Sequence, residues 1–182
     1  LNWNHTFDCY PRELFECGND ASLTVLSARA LSDLSHQAAE RAAADLGAAR
    51  MAVLDTGTNS GASAAFSLEA ARRVADGTEL GEVIASMRAL VPRAMAVTAL
   101  PAPETFKRGG RLGDATPLAE RGPGGIAVIA LRGAEGNVTP VAKVATVDEA
   151  QRVMGDALRE FVSSCGAARI RVVGKHAAAE AD

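Results

Sequence analysis

The sequence predicts an α/β protein in which a parallel-sheet α/β domain precedes an α+β domain with antiparallel strands. Two observations carry that expectation. Up to residue 92, short apolar runs alternate with longer amphipathic segments, the order of βαβ units. Beyond it, the apolar run Gly125–Arg132 passes through a glycine-containing turn into a second strand-like run, as antiparallel neighbours do. The change of character near residue 92 gives domains 1–92 and 93–182, with residues 1–20 a candidate to pack on the second.

Each element has its own signal. Residues 11–17 carry proline in the first turn of a short helix that closes at Gly18. Leu23 to Leu26 is a brief strand, and a helix from Ser32 to Leu46 stops at Gly47. Met51 to Leu54 has strand length and ends in the polar turn Asp55-Thr-Gly-Thr-Asn-Ser-Gly61. A helix follows from Ala62 to Ala75. The next has the cleanest period: Leu80, Val83, Ile84, Met87, Leu90 and Val91 share one face, and Pro92 ends it. Ala94 to Leu100 reads as a strand and Glu104 to Arg108 as a short helix. Gly125–Arg132 and Val138–Thr146 read as a hairpin. Thr146 and Glu149 form a capping box before a helix whose apolar face runs from Val147 to Val162. Ile170 to Val173 is a last strand.

Composition excludes several function classes. The 182 residues suffice for one large or two small domains with a core. Apolar content is 48% but rich in alanine, and aromatics are 4%, so a large cavity must be framed by the few bulky aliphatic residues and phenylalanines. Net charge is −3 with both signs interspersed, and no basic stripe with interleaved aromatics argues for nucleic acid. Cys9, Cys17 and Cys165 form no CxxC or Cys/His spacing, and His5, His36 and His176 stand apart, so no metal site is expected. No apolar run approaches the roughly 18 residues of a membrane span, and no secretion signal is visible; with reduced thiols this gives a cytoplasmic expectation without integral membrane contact. The chain opens at Leu1 as if in the middle of something, so an N-terminal region is expected to lie outside this sequence.

Four segments have the chemistry to receive a ligand. The Asp55–Gly61 turn leaves the C-terminal end of a strand, where open α/β sheets bind ligands, and offers Asp55, backbone N–H groups and the hydroxyls of Thr56, Thr58 and Ser60. The ordinary alternative is that Ser60 caps the helix and Asp55 steadies the turn. Neither GxGxxG nor GxxxxGK[ST] occurs, so no nucleotide cofactor is expected. Ser27, Ser32 and Ser35 lie between a strand and a helix, where hydroxyls suit a carboxylate or simply cap. Ser35 and His36 point roughly 100° apart on a helix and cannot act as nucleophile and base. Thr6 is a third candidate hydroxyl. Last, Lys107-Arg108-Gly109-Gly110-Arg111 joins three cations to a turn that only glycines adopt freely, either a docking point or an ordinary solvated turn.

In order, these segments resemble the DegV family of bacterial fatty-acid-binding proteins. Glu104-Thr-Phe-Lys-Arg-Gly-Gly-Arg-Leu-Gly113 is similar to that family's short helix, basic residue and Gly-Gly-Arg. Gly136-Asn-Val-Thr-Pro-Val-Ala-Lys-Val-Ala-Thr146 is similar to its Asp-Gly-x-x-x-Pro-x-x-Lys-Val-Arg-Thr hairpin. Val53-Leu-Asp-Thr-Gly-Thr-Asn-Ser60 resembles its Ile-Asp-Ser-x-x-x-Ser turn, and Thr6-Phe-Asp-Cys-Tyr-Pro11 its Thr-Ser-Gln-Pro-Ser-Pro.

The resemblance implies two domains with a long-chain fatty acid in a tunnel between them, its carboxylate held by hydroxyls. It also implies a partner kinase that converts the carboxylate to an acyl phosphate, so that this chain binds without catalysing. By position Thr6 matches a carboxylate-binding threonine, and Lys107, Arg108 and Arg111 fall in the region linked to docking. The family's Ser-Ser-x-Leu-Ser-Gly-Thr stretch is replaced by Ala28-Arg-Ala-Leu-Ser-Asp33, which leaves Ser27, Ser32 or Arg29 to meet the acid. The family's N-terminal Asp-Ser motif and its C-terminal Gly-x-His-x-Gly-Pro-Gly are not found, and His176 does not match the histidine. A partial chain or a divergent member fits. Two other readings stay open: a small-molecule α/β enzyme using the Asp55–Ser60 loop, and a regulatory interaction domain with a vestigial ligand site.

Overall fold

The computed structural model describes residues 22–26, 28–31, 33–46, 51–120, 124–133 and 136–166. The expected helix at 11–17 and strand at 170–173 lie outside them.

The first half is a parallel pair wrapped by helices. β1 (Ser22–Leu26) and β2 (Met51–Asp55) run parallel, with Leu23 opposite Ala52 and Leu26 opposite Asp55. A parallel pair needs a crossover. Here it is a 3-10 turn, Arg29–Leu31, followed by α1 (Asp33–Leu46). α2 (Ser60–Ala75) and α3 (Leu80–Leu90) pack on each other and on the strands. Leu54, Phe66, Ala70, Val83 and Met87 form the core there, with Leu23, Val25, Leu90, Val91 and Ala94 against it. Val83 and Met87, fully buried, lie on the face that the period of α3 predicts. Val91-Pro92-Arg93 tightens into a 3-10 turn, because Pro92 has no N–H to continue the helix.

The second half is antiparallel. β3 (Met95–Leu100), β4 (Ile126–Arg132) and β5 (Val138–Val144) form a sheet in that order. β4 is central and every residue from Ala127 to Leu131 is buried, which explains why its apolar run does not alternate. α6 (Val147–Cys165) packs on all three strands. Leu112, Ala115 and Leu118 join Leu100, Ala127, Ile129, Leu131 and Val138 in the core. Those three come from the segment between β3 and β4, which holds α4 (Pro103–Arg108), a 3-10 turn at Gly113–Ala115 and α5 (Thr116–Glu120). The last two have no counterpart in the sequence expectation. Pro140 sits in β5 where the register slips beside Val128 and Ile129, a place that tolerates a residue without an N–H.

α6 begins as its sequence predicts. Thr146 Oγ1 accepts from Glu149 N at 3.2 Å, and Glu149 Oε2 accepts from Thr146 N at 3.3 Å and Ala145 N at 2.9 Å. The two backbone N–H groups hold the Glu149 carboxyl below its ordinary value. Gly166, at φ 57°, closes the helix in the left-handed region.

The described residues pack into two hydrophobic clusters, the first drawing in Ala94 and the second Ala28 and Leu31, and the two halves meet along a narrow seam. Gly133, at the end of β4, donates its N–H to Ala94 O at 2.9 Å. A Cβ on Gly133 would overlap the Val91 carbonyl, and one on Gly57 would stand 2.7 Å from Gly133 Cα. Backbone touches backbone there. From the other side, Ala28 N donates to Thr58 O at 2.7 Å, while the buried Ala28 and part-buried Leu31 pack into the second core.

Gly133→Ala therefore has nowhere to place its methyl and is expected to destabilise the fold by about 3 kcal/mol or more. Gly81→Ala, in α3 with open space around it, is expected to stabilise by about 0.5–1 kcal/mol. Urea unfolding of both variants checks the pair.

Candidate functional site

The seam leaves a cleft of about 640 Å³, lined by Arg29, Ala30, Leu31, Asp33, Asp55, Gly136 and Asn137. Its walls are the β1–α1 crossover, the C-terminal end of β2 and the turn that enters β5. Strand ends of a parallel sheet leave backbone groups and loops at such a crevice, and ligands of open α/β sheets bind there.

Asp55 anchors one wall. Its Oδ1 accepts from Gly57 N at 2.8 Å and its Oδ2 from Arg29 N at 3.3 Å. His36, on α1 and 1% exposed, brings Nε2 to 4.0 Å from Asp55 Oδ2.

Arg29 anchors the other wall. Its Nη1 donates to Asp33 Oδ1 at 2.8 Å, and its Nη2 bonds Glu40 Oε1. Asp33 is held at its other oxygen by Gln37 Nε2 at 2.7 Å. The Arg29 bond, then the Gln37 bond, keep the Asp33 carboxyl below its ordinary value of 3.8. The Asp33 bond likewise raises the Arg29 guanidinium above its ordinary value, with Glu40 adding to the effect.

The structure does not bring the predicted site residues together as one set. Arg29 and Asp55 line the cleft together. Thr56 and Thr58 are fully buried and face inward. Thr56 Oγ1 bonds Leu26 O at 2.8 Å and Ser63 Oγ at 2.9 Å, and Thr58 Oγ1 donates to Thr56 Oγ1 at 3.1 Å. These hydroxyls tie β1, β2 and α2 together. Ser60 is exposed at the first position of α2 with φ 46°, rare for a residue with a side chain. The cap position falls to Asn59, whose side chain makes no capping bond, so Ser60 is not the helix cap. Lys107, Arg108 and Arg111 are exposed beside Gly110, at φ 66°, and are not among the lining residues. Thr6, Ser27 and Ser32 lie outside the described residues.

Sequence reasoning missed Asp33, Gly136 and Asn137 as cleft residues. The Gly-Asn pair was visible as a turn, but only the tertiary seam brings it opposite Asp55. Among the described residues no cluster of His, Cys, Asp and Glu is placed to hold a metal ion, and no helix is long and apolar enough to cross a membrane.

An α/β half with a parallel pair, joined through a glycine seam to an antiparallel α+β half, defines a two-part protein with its cleft at the join. Residues 7–182 match the family described as "Uncharacterised protein, DegV family", and the chain belongs to that family. A DegV family protein from Thermus thermophilus, described by its fatty acid binding, is 27% identical with a TM-score of 0.71, over 83% of this chain and 52% of that one. A stearic-acid-binding protein from Eubacterium ventriosum shares the fold at 17% identity and TM-score 0.69, over 85% of this chain and 53% of that one. DegV from Bacillus subtilis, a fatty acid binding protein, gives 18% and 0.63, over 80% and 51%. The chain thus spans about half the length of these structures. A search of curated proteins finds no match.

Thr56→Val keeps the shape of the side chain and removes the bonds to Leu26 O and Ser63. It is expected to cost about 1–3 kcal/mol, read by chemical denaturation. The depressed Asp33 carboxyl contributes stability that is present above its ordinary value and is lost as pH falls through its folded value. The melting temperature of the wild type is expected to fall on acidification from about pH 5 to about pH 2.5, and less steeply in Asp33→Asn.

Proposed function

We propose that this chain binds a long-chain fatty acid, with the acid group in the cleft between Arg29, Asp55 and the Gly136–Asn137 turn. In the cytoplasm it presents that group to a partner kinase for acyl-phosphate formation and performs no chemistry alone. The observation that carries the reading is the coincidence of family and place. The chain belongs to a family whose solved members include fatty-acid-binding proteins, and its cleft opens at the join of its two halves.

The energetics suit such a ligand. Each methylene taken from water contributes about 0.8 kcal/mol, so a tail of about sixteen carbons supplies most of the affinity and the head group sets orientation. Half-buried Leu31 lines the cleft and packs on the second core, which gives the tail an apolar direction to follow. Helix faces between residues 62 and 91 are the other apolar surface a tunnel would draw on. At the head, Arg29 is the one cation among the described lining residues. Thr6, Ser27 and Ser32 are the hydroxyls that complete the acid's partners, and Lys107, Arg108 and Arg111 form the docking point for the kinase.

The alternative of a small-molecule enzyme built on the Asp55–Ser60 loop has less to draw on. Thr56 and Thr58 are committed to internal bonds, which leaves that loop few free groups for catalysis.

Native mass spectrometry of protein purified from bacteria is expected to show a bound acyl chain, and delipidated protein is expected to take up added oleate. Protein that carries no acyl chain and takes up none would contradict the proposal.

A further inference from the structure

A fatty carboxylate approaching this cleft meets more negative than positive charge. Asp33 and Asp55 line it beside Arg29, and Arg29 already bonds Glu40 as well as Asp33. Among the described residues His36 also faces Asp55, with Nε2 at 4.0 Å from Oδ2. An anionic head group that turns to the guanidinium meets two carboxylates already on it.

The two carboxylates on Arg29 are not equivalent. Asp33 is four residues away and fixed at both oxygens, by Arg29 and by Gln37. Glu40 reaches Arg29 from eleven residues along the chain and is absent from the cleft lining. Its longer side chain loses more rotamer freedom when held, so it gains less from staying. Among the described residues, no second bond holds it.

We propose that Glu40 is an internal competitor for the ligand's acid group: binding exchanges the Glu40 carboxylate for the ligand's on Arg29, while Asp33 keeps the guanidinium aimed at the cleft. The inference rests on the fatty-acid reading and adds to it a residue that sets affinity without touching the ligand. Asp33 takes Nη1 and Glu40 takes Nη2, so a further carboxylate at either nitrogen meets a like charge beside it and gains most where Glu40 gives way. The exchange keeps Arg29 charge-paired in both states. An uncharged head group would gain nothing from it.

Calorimetric titration with oleate and with methyl oleate separates the head group from the tail. Glu40→Gln is expected to tighten oleate by about two- to fivefold, the range of a partly exposed ion pair, and to leave methyl oleate unchanged. Arg29→Met is expected to weaken oleate and to erase the effect of Glu40→Gln in the double variant. Glu40 is exposed on a helix, so circular dichroism should show an unchanged fold. Oleate binding that is unaltered or weaker in Glu40→Gln, or an equal gain for the methyl ester, overturns the competitor role while the fatty-acid reading stands. No uptake of either probe by wild type or variants overturns both.

Discussion

Where Gly57 meets Gly133, two backbones approach more closely than any side chain would permit. The turn after β2 lies against the end of β4, where Gly133 also donates to Ala94 and extends the β3–β4 ladder by one bond. The same few residues fix the start of β3, the Asp55 turn and the approach to the β4–β5 turn. The cleft is what remains between these segments once the seam has closed. Its geometry follows from contacts that contain no ligand-binding group.

The seam also explains a division of labour among the polar residues. Behind it, Thr56, Thr58 and Ser63 satisfy one another and the Leu26 carbonyl, so the loop is rigid from within. In front of it, Asp55 and Arg29 are tied by a backbone bond, and Arg29 is tied in turn to α1 through Asp33 and Glu40. Neutral hydrogen bonds hold the loop behind the cleft, while the Arg29 wall is held by ion pairs partly open to water. Ion pairs of that kind are worth little each and exchange readily. Rigidity on one side and exchangeable charge on the other suit a site that must take up and release an acid.

Local signals were legible in the sequence; assembled ones were not. The capping box at Thr146, the period of α3 and the unbroken apolar run of β4 each depend on neighbours along the chain, and each formed where expected. Thr116–Glu120 is too short to show a helical period, yet Leu118 from it is part of the core. In the site, Asp55 could be selected because it ends a strand before a helix, and Arg29 because it stands where the family's hydroxyl stretch is replaced. Thr56 could be selected too, but a polar loop does not reveal which hydroxyls turn inward. Asp33 looked like an ordinary first-turn acid, and Asn137 like a hairpin residue. Only the seam, built from residues far apart in sequence, makes them neighbours of Asp55. The family likeness rested on motifs spread along the chain, which is why it came through where single residues did not.

On the proposed function, an acyl ligand's head group sits in this cleft and nowhere else. The most direct measurement is the change in backbone amide shifts as oleate is added to the isotope-labelled, delipidated protein. The largest shifts are expected at Arg29 to Leu31, Asp55 and Gly136 to Asn137, with small ones at the exposed turn Lys107–Arg111. Large shifts confined to the groove between α6 and the sheet, around Met95, Thr139 and Ala157, would contradict it.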